Sequence, residues 1–251
     1  MRILGIESSS LVASVALVTD DRLTAEYTVD FKKTHSQTLL PMLDEIARML
    51  ELDLSTVDAI AVAAGPGSFT GLRIGGATAK GLGLALNKPL VHVPTVDAMA
   101  YNLWGCGSLV CPLMDAKRRQ VYTGIYRMEP DMRVIQEQCA MDAAELAEEL
   151  NGLGEPVVFL GDGVPVYGGL FEELLTIPFS FAPPQMNRQR AASVAALGRL
   201  AAEDKEGRYG GAFVVAADDF APDYLRKPQA EREREARLNP EGRDGRLAGD
   251  N

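Results

Sequence analysis

The chain has 251 residues, 47% of them hydrophobic and 6% aromatic, with a formal net charge of -10. This length suits one compact unit or two fused lobes, and the acidic balance repels phosphates at long range, which makes direct nucleic-acid binding the minority reading. The opening Met1 to Glu7 meets an acidic residue before a secretory apolar region is complete, no run spans a bilayer, and Cys106, Cys111 and Cys139 lack CxxC spacing, so a cytoplasmic protein with free thiols is expected.

In chain order, three short strands come first: Ile3 to Glu7, Val12 to Thr19 and Leu23 to Asp30. The brevity of the turns Ser8-Ser9-Ser10 and Asp20-Asp21 predicts antiparallel hairpins. From Thr34 the apolar residues Leu39, Leu43, Ile46 and Leu50 recur at helical spacing, and Thr34 to Gln37 fits a capping box. Pro41 would then lie inside the helix, where its missing amide and its ring predict a kink. Val57 to Ala63 reads as a buried strand, Phe69 to Leu86 as a glycine-bearing helix stopped by Asn87-Lys88-Pro89, Leu90 to Val93 as a strand, and Thr95 as the cap of another helix.

A second lobe opens like the first. Leu109 to Asp115 is an apolar strand ending in a carboxylate, followed by a basic turn and the strand Val121 to Tyr126. Ala143 to Leu150 and Ala191 to Ala202 read as helices, Pro156 to Leu160 as a strand, and Gly161-Asp162-Gly163 as a tight turn. Residues 1–105 and 106–226 are thus expected as two lobes. Residues 227–251 are dense in Arg, Glu, Gly and Asp and read as a mobile charged tail, because so few apolar groups cannot offset the entropy of ordering.

The segment Ala64 to Gly75, with Gly65-Pro66-Gly67-Ser68-Phe69-Thr70-Gly71 at its heart, is neither a P-loop, since no lysine follows at the right place, nor a dinucleotide fingerprint. It leaves amides at a helix start with the Ser68 and Thr70 hydroxyls as an anion candidate, against the equal alternative of an ordinary glycine-rich cap. Glu7 with Ser8 at the end of the first strand is a second candidate, with Asp115 in the matching place of the second lobe. A lone carboxylate at a strand end is more often structural. Only two histidines exist, His35 and His92, which gives no pair of neighbouring metal ligands.

Gly71, Gly75, Ala79 and Gly83 form one i, i+4 ridge. Each interior glycine costs about 1 kcal/mol relative to alanine, so a packing reason is expected. The ridge either meets another protein, together with His35, Leu39, Leu43 and Ile46, or faces the chain's own sheet.

The motifs Ile3-Leu4-Gly5-Ile6-Glu7-Ser8-Ser9, His35-Ser36-Gln37 with Leu39-Leu40-Pro41, Gly65 to Gly75, Met114 to Arg118, Gly161-Asp162-Gly163 and Pro222 to Arg226 together resemble the TsaB family, over roughly residues 1–226. The resemblance implies an α/β, actin-like (ribonuclease H-like) fold of two related lobes, each a β-β-β-α-β-α type unit with a mixed sheet. It also implies a non-catalytic subunit that supports its relative TsaD, which transfers threonylcarbamoyl to the adenosine beside the tRNA anticodon. TsaD would be the heterodimer partner and the ATPase TsaE would dock on that dimer. A homodimer without TsaD, tRNA contact only through the complex, no required cofactor and room for a nucleotide at the partner joint complete the expectation. TsaD-type proteins bind metal through His-x-x-x-His on the first long helix. Here Leu39 stands in the second histidine's place, which weighs against a metallopeptidase, while a stand-alone actin-like kinase would need a fuller nucleotide cradle. The family resemblance also favours the partner-facing reading of the ridge.

Overall fold

A computed structural model describes residues 1–225 except Lys33, residues 205–207 and Gly210. The expected tail 227–251 therefore lies outside the described residues, as does Arg226.

The first lobe grows from an antiparallel meander, β1 (Arg2–Glu7), β2 (Val12–Thr19) and β3 (Arg22–Asp30), as the short turns require. Helix α1 (His35–Met49) follows, then β4 (Ala59–Gly65), α2 (Phe69–Leu86) and β5 (Leu90–Pro94). Strands β4 and β5 are parallel to β1, because each is reached through a helical crossover. The Thr34 side chain makes no cap hydrogen bond, so the expected capping box does not form, and α1 runs on through Pro41. Helix α2 has the expected limits, and Ser68, expected as an anion candidate, is its cap: Ser68 Oγ accepts from Gly71 N, and Asn87 ends the helix in the left-handed region.

Helix α3 (Thr95–Tyr101) leads into the second lobe, and Pro94 rather than Thr95 occupies its cap position. The expected strand from Leu109 divides at Leu113 into β6 (Leu109–Pro112) and β7 (Met114–Asp115). Both pair antiparallel with β8 (Gln120–Arg127). Strand β9 (Arg133–Asp142), α4 (Ala143–Leu153), β10 (Val157–Leu160), α5 (Val164–Leu174) and β11 (Phe179–Phe181) follow. Strands β6 and β8 form a meander with β9, and β10 and β11 run parallel to β6. The order β9-β8-β6-β10-β11 thus repeats β3-β2-β1-β4-β5 of the first lobe. This is the duplication that the echo in the sequence announced.

The chain does not end in the second lobe. Helix α6 (Ala191–Glu203) and strands β12 (Arg208–Tyr209) and β13 (Ala212–Val215) return to the first sheet, whose full order is β12-β13-β5-β4-β1-β2-β3. The expected boundary of 106–226 for the second lobe is corrected accordingly: residues 191–215 complete the first lobe. Period-two alternation explains the need. In β1, Leu4 and Ile6 point toward α1 and α2, while Ile3 joins Ala61, Val194 and Leu197 on the opposite face, which α6 covers. Small residues let α6 approach closely, since a Cβ on Gly5 would sit 2.4 Å from Ala191 O and one on Gly198 2.4 Å from Ala61 Cβ.

Candidate functional sites

The two lobes enclose a cleft of about 600 Å³ whose lining includes Ser9, Ser68, Asp115, Lys117, Asp162 and Tyr224. The β1–β2 turn lines it through Ser9, Ser10 and Leu11, just after Glu7. Glu7 is only 1% exposed, and its Oε1 accepts from Ser9 N at 2.5 Å. Burial pushes its carboxyl up to about 7, the Ser9 hydrogen bonds oppose the rise, and the nearby Asp162 adds to it. Burial likewise raises Asp162, which accepts from Gln189 Nε2 at 3.3 Å.

Three of the anion candidates, Glu7, Ser8 and Ser68, are engaged internally. Ser8 Oγ donates to Gly71 O at 2.9 Å, Ser68 N donates to Ser9 O at 2.6 Å, and Ser68 Oγ caps α2. Thr70 is exposed outside the cleft lining. Of Glu7, Ser8, Ser68 and Thr70, only Ser68 lines the cleft, so the four are not brought together as an anion cradle. Asp162, Asp223 and Tyr224 line the cleft without having been singled out as a site. The turn Gly161-Asp162-Gly163 and the segment Pro222 to Leu225 were the sequence signals for them.

The last segment straps the first lobe. Asp223 N donates to Ala64 O at 2.6 Å, and a Cβ on Gly65, at φ +124°, would lie 2.2 Å from Asp223 O, so only glycine admits the strap. Asp223 Oδ2 also stands 3.3 Å from Nε2 of buried His92, which stacks on Phe213. Burial holds that imidazole below its usual range against the pull of Asp223.

The second candidate surface is helical. The ridge Gly71, Gly75, Ala79 and Gly83 faces inward: a Cβ would meet Ser8 O at 2.1 Å from Gly71, Ser8 Oγ at 2.2 Å from Gly75 and Leu90 Cδ1 at 2.5 Å from Gly83, and Ala79 is wholly buried. Leu39, Leu43 and Ile46 join the same core as Leu4, Ile6 and Leu17. The partner-facing expectation for these residues is therefore corrected, because their packing reason is the chain's own sheet. His35 is buried too, with Nε2 2.8 Å from Ser10 O. Exposed apolar side chains remain on the two helices, Leu40 (53% exposed) and Met49 (74%) on α1 and Leu84 (55%) on α2, and no neighbouring atom lies within 4 Å of a Cβ built on Gly81.

The TsaD relatives' metal does not fit this donor set. His35 Nε2 is committed to Ser10, Leu39 replaces the second histidine one turn on, and the described residues contain no group of three or more His, Cys, Asp or Glu placed to hold an ion.

Comparison with known proteins agrees with this geometry. The chain shares its fold with a ROK hexokinase from Thermus thermophilus (TM-score 0.50, 14% identity, 81% of this chain and 100% of that one), a likeness of architecture alone. A crystal structure from Pseudomonas aeruginosa, described as an uncharacterized protein with similarity to peptidase YEAZ, is 27% identical with a TM-score of 0.75, over 90% of this chain and 99% of that one. The family model for TsaD, tRNA N6-adenosine threonylcarbamoyltransferase, matches residues 29–234. The tRNA threonylcarbamoyladenosine biosynthesis protein TsaB of Bacillus subtilis is 32% identical over 92% of this chain and 96% of its own length. The chain belongs to the TsaB family of tRNA threonylcarbamoyladenosine biosynthesis proteins.

Proposed function

We propose that this chain is a non-catalytic subunit that binds a TsaD-type transferase in the cytoplasm, through the outward faces of α1 and α2, and holds it in its working state. The observation that carries this reading is that apolar side chains stay exposed, Leu40 and Met49 on α1 and Leu84 near open Gly81 on α2, on two helices whose other faces pack on the sheet. A rigid apolar face with a small residue in it lets a second pair of helices approach closely. In the absence of the transferase the same face pairs with a second copy, and in its presence the heterodimer offers a platform to a TsaE-type ATPase. The engagement of His35 by Ser10 and the presence of Leu39 support a role without metal chemistry in this chain. That role needs no cofactor of its own, and a nucleotide, where one is used, sits at the joint of the assembled complex.

Co-purification with the TsaD-type protein of the same cell tests the proposal. The wild-type chain should form a stoichiometric complex. Gly81→Leu and Leu84→Asp should each abolish it while circular dichroism and melting temperature stay near wild type, because neither position touches the core. Undiminished complex formation by both well-folded variants would remove the outer helical face as the joint.

A further inference from the structure

The chain's net charge is -10, yet the turn between β7 and β8 presents Lys117, Arg118 and Arg119 side by side, all exposed. Their φ angles are 62°, 57° and 63°, so three consecutive residues with side chains occupy the left-handed region, which L-residues normally visit singly. The turn is fixed rather than loose. Gln120 N donates to Lys117 O at 3.2 Å, Ala116 N to Gln120 O at 3.0 Å and Ala143 N to Arg119 O at 3.0 Å. Lys117 Nζ is paired with Asp115 at 2.5 Å, which neutralises the carboxylate nearest the turn. Among the described residues, neither Arg118 nor Arg119 has an ion-pair partner, and neither backbone N–H has an acceptor. Two unpaired guanidiniums and two unpaired amides are therefore carried on a fixed turn whose Lys117 lines the interlobe cleft.

We infer that this turn is a phosphate-contacting element through which the chain touches the backbone of the tRNA handled by its complex. Arginine forks bind phosphate oxygens bidentately and free amides add donors in fixed positions. An acidic subunit carried close to a polyanion repels it, and a local cluster of free positive charge is the physical means of offsetting that repulsion. The inference rests on the role in the tRNA-modifying complex proposed above and goes beyond it, since that role requires tRNA contact only through the partner.

The test uses the full chain assembled with its TsaD-type partner, and unmodified tRNA as the probe. Arg118→Asn/Arg119→Asn removes both charges while keeping residues that tolerate the left-handed region, and Arg118→Lys/Arg119→Lys keeps the charge. Binding is measured by fluorescence anisotropy across a salt series, with complex assembly followed by size exclusion. Loss of two phosphate contacts should make the slope of log affinity against log salt shallower by about 1.5 and weaken binding about tenfold at low salt, whereas the lysine pair should keep the slope and lose only part of the affinity. The melting temperature should not fall, and assembly should be unchanged. An unaltered slope and affinity in a well-assembled asparagine variant would overturn the inference while leaving the subunit role standing. Weakened assembly with unaltered tRNA affinity would also overturn it, by making the turn a protein contact. Failure of the wild-type chain to assemble would overturn the role and, with it, the inference.

Discussion

Glu7 shows how one residue's environment becomes a property that can be measured. Its carboxyl titrates at about 7 in the fold against 4.5 unperturbed, with burial as the leading cause. Between those two values the native state holds a proton that the unfolded state has released, so stability falls as pH rises through that window. Below 4.5 both states are protonated and no penalty exists; above 7 the full penalty is present, roughly 3 kcal/mol from about 1.4 kcal/mol per pKa unit. Glu7→Gln keeps an acceptor for Ser9 N and removes the charge. It should raise the melting temperature at pH 8, leave it nearly unchanged at pH 4, and flatten the curve between. Parallel melting curves for the two proteins would refute the burial account. Part of the residual slope in the variant should come from Asp162 and Asp97, whose carboxyls burial shifts in the same direction.

At the level of elements, α2 has two faces with opposite tolerances. The Gly75 side lies against Ser8 and the Gly83 side against Leu90, so an added Cβ needs backbone or core to move. Gly75→Leu and Gly83→Leu should each cost several kcal/mol, in the range typical of overpacked cores, and appear as insoluble or molten chains before any partner is added. Urea unfolding checks this, and a native-like midpoint for either would show that the helix can lift off the sheet. Gly81→Leu, on the other side of the same helix, provides the contrast. Periodicity identified the ridge as one face but not which way that face points, because an amphipathic pattern is the same whether the small residues meet a sheet or a partner. Strands β9 and β13 and helix α5 escaped the sequence reading for a related reason. Strand β9 is largely exposed or half-buried and carries charges, so it lacks the apolar alternation that marks a strand.

The whole molecule is one interdependent pair of lobes rather than two in tandem. Helix α6 buries Val194, Leu197 and Ala201 against β1, β4 and β5 from the far side of the first sheet. Ion pairs Arg188–Asp30 and Arg190–Glu26 bind the connecting segment to β3. Asp97 on α3 accepts from Tyr126 OH of the second lobe at 2.7 Å and from Gly211 N at 3.0 Å, so one carboxylate joins three parts of the chain. A chain ending at residue 190 should therefore fail to fold as a soluble first lobe, since an entire apolar sheet face would meet water. Limited proteolysis and near-ultraviolet circular dichroism of that truncation decide the point, and a protected, cooperative domain would contradict it.

The sequence by itself determined the β-β-β-α-β-α order of the first lobe, the limits of α2 and the family, because these depend on local chemistry: turn length, hydrophobic period, the stop at Asn87-Lys88-Pro89 and a rare glycine-rich string. It also put Leu39, not a histidine, four residues after His35. Only the tertiary structure decided which side of α1 and α2 is free, that Ser8, Ser68 and His35 serve internal hydrogen bonds, and that residues far down the chain return to finish the first sheet. The basic turn was visible as residues, but its unpaired guanidiniums and amides were not. These are outcomes of competition among distant groups for the same partners and the same apolar face. They are settled by long-range packing and leave no mark in local spacing.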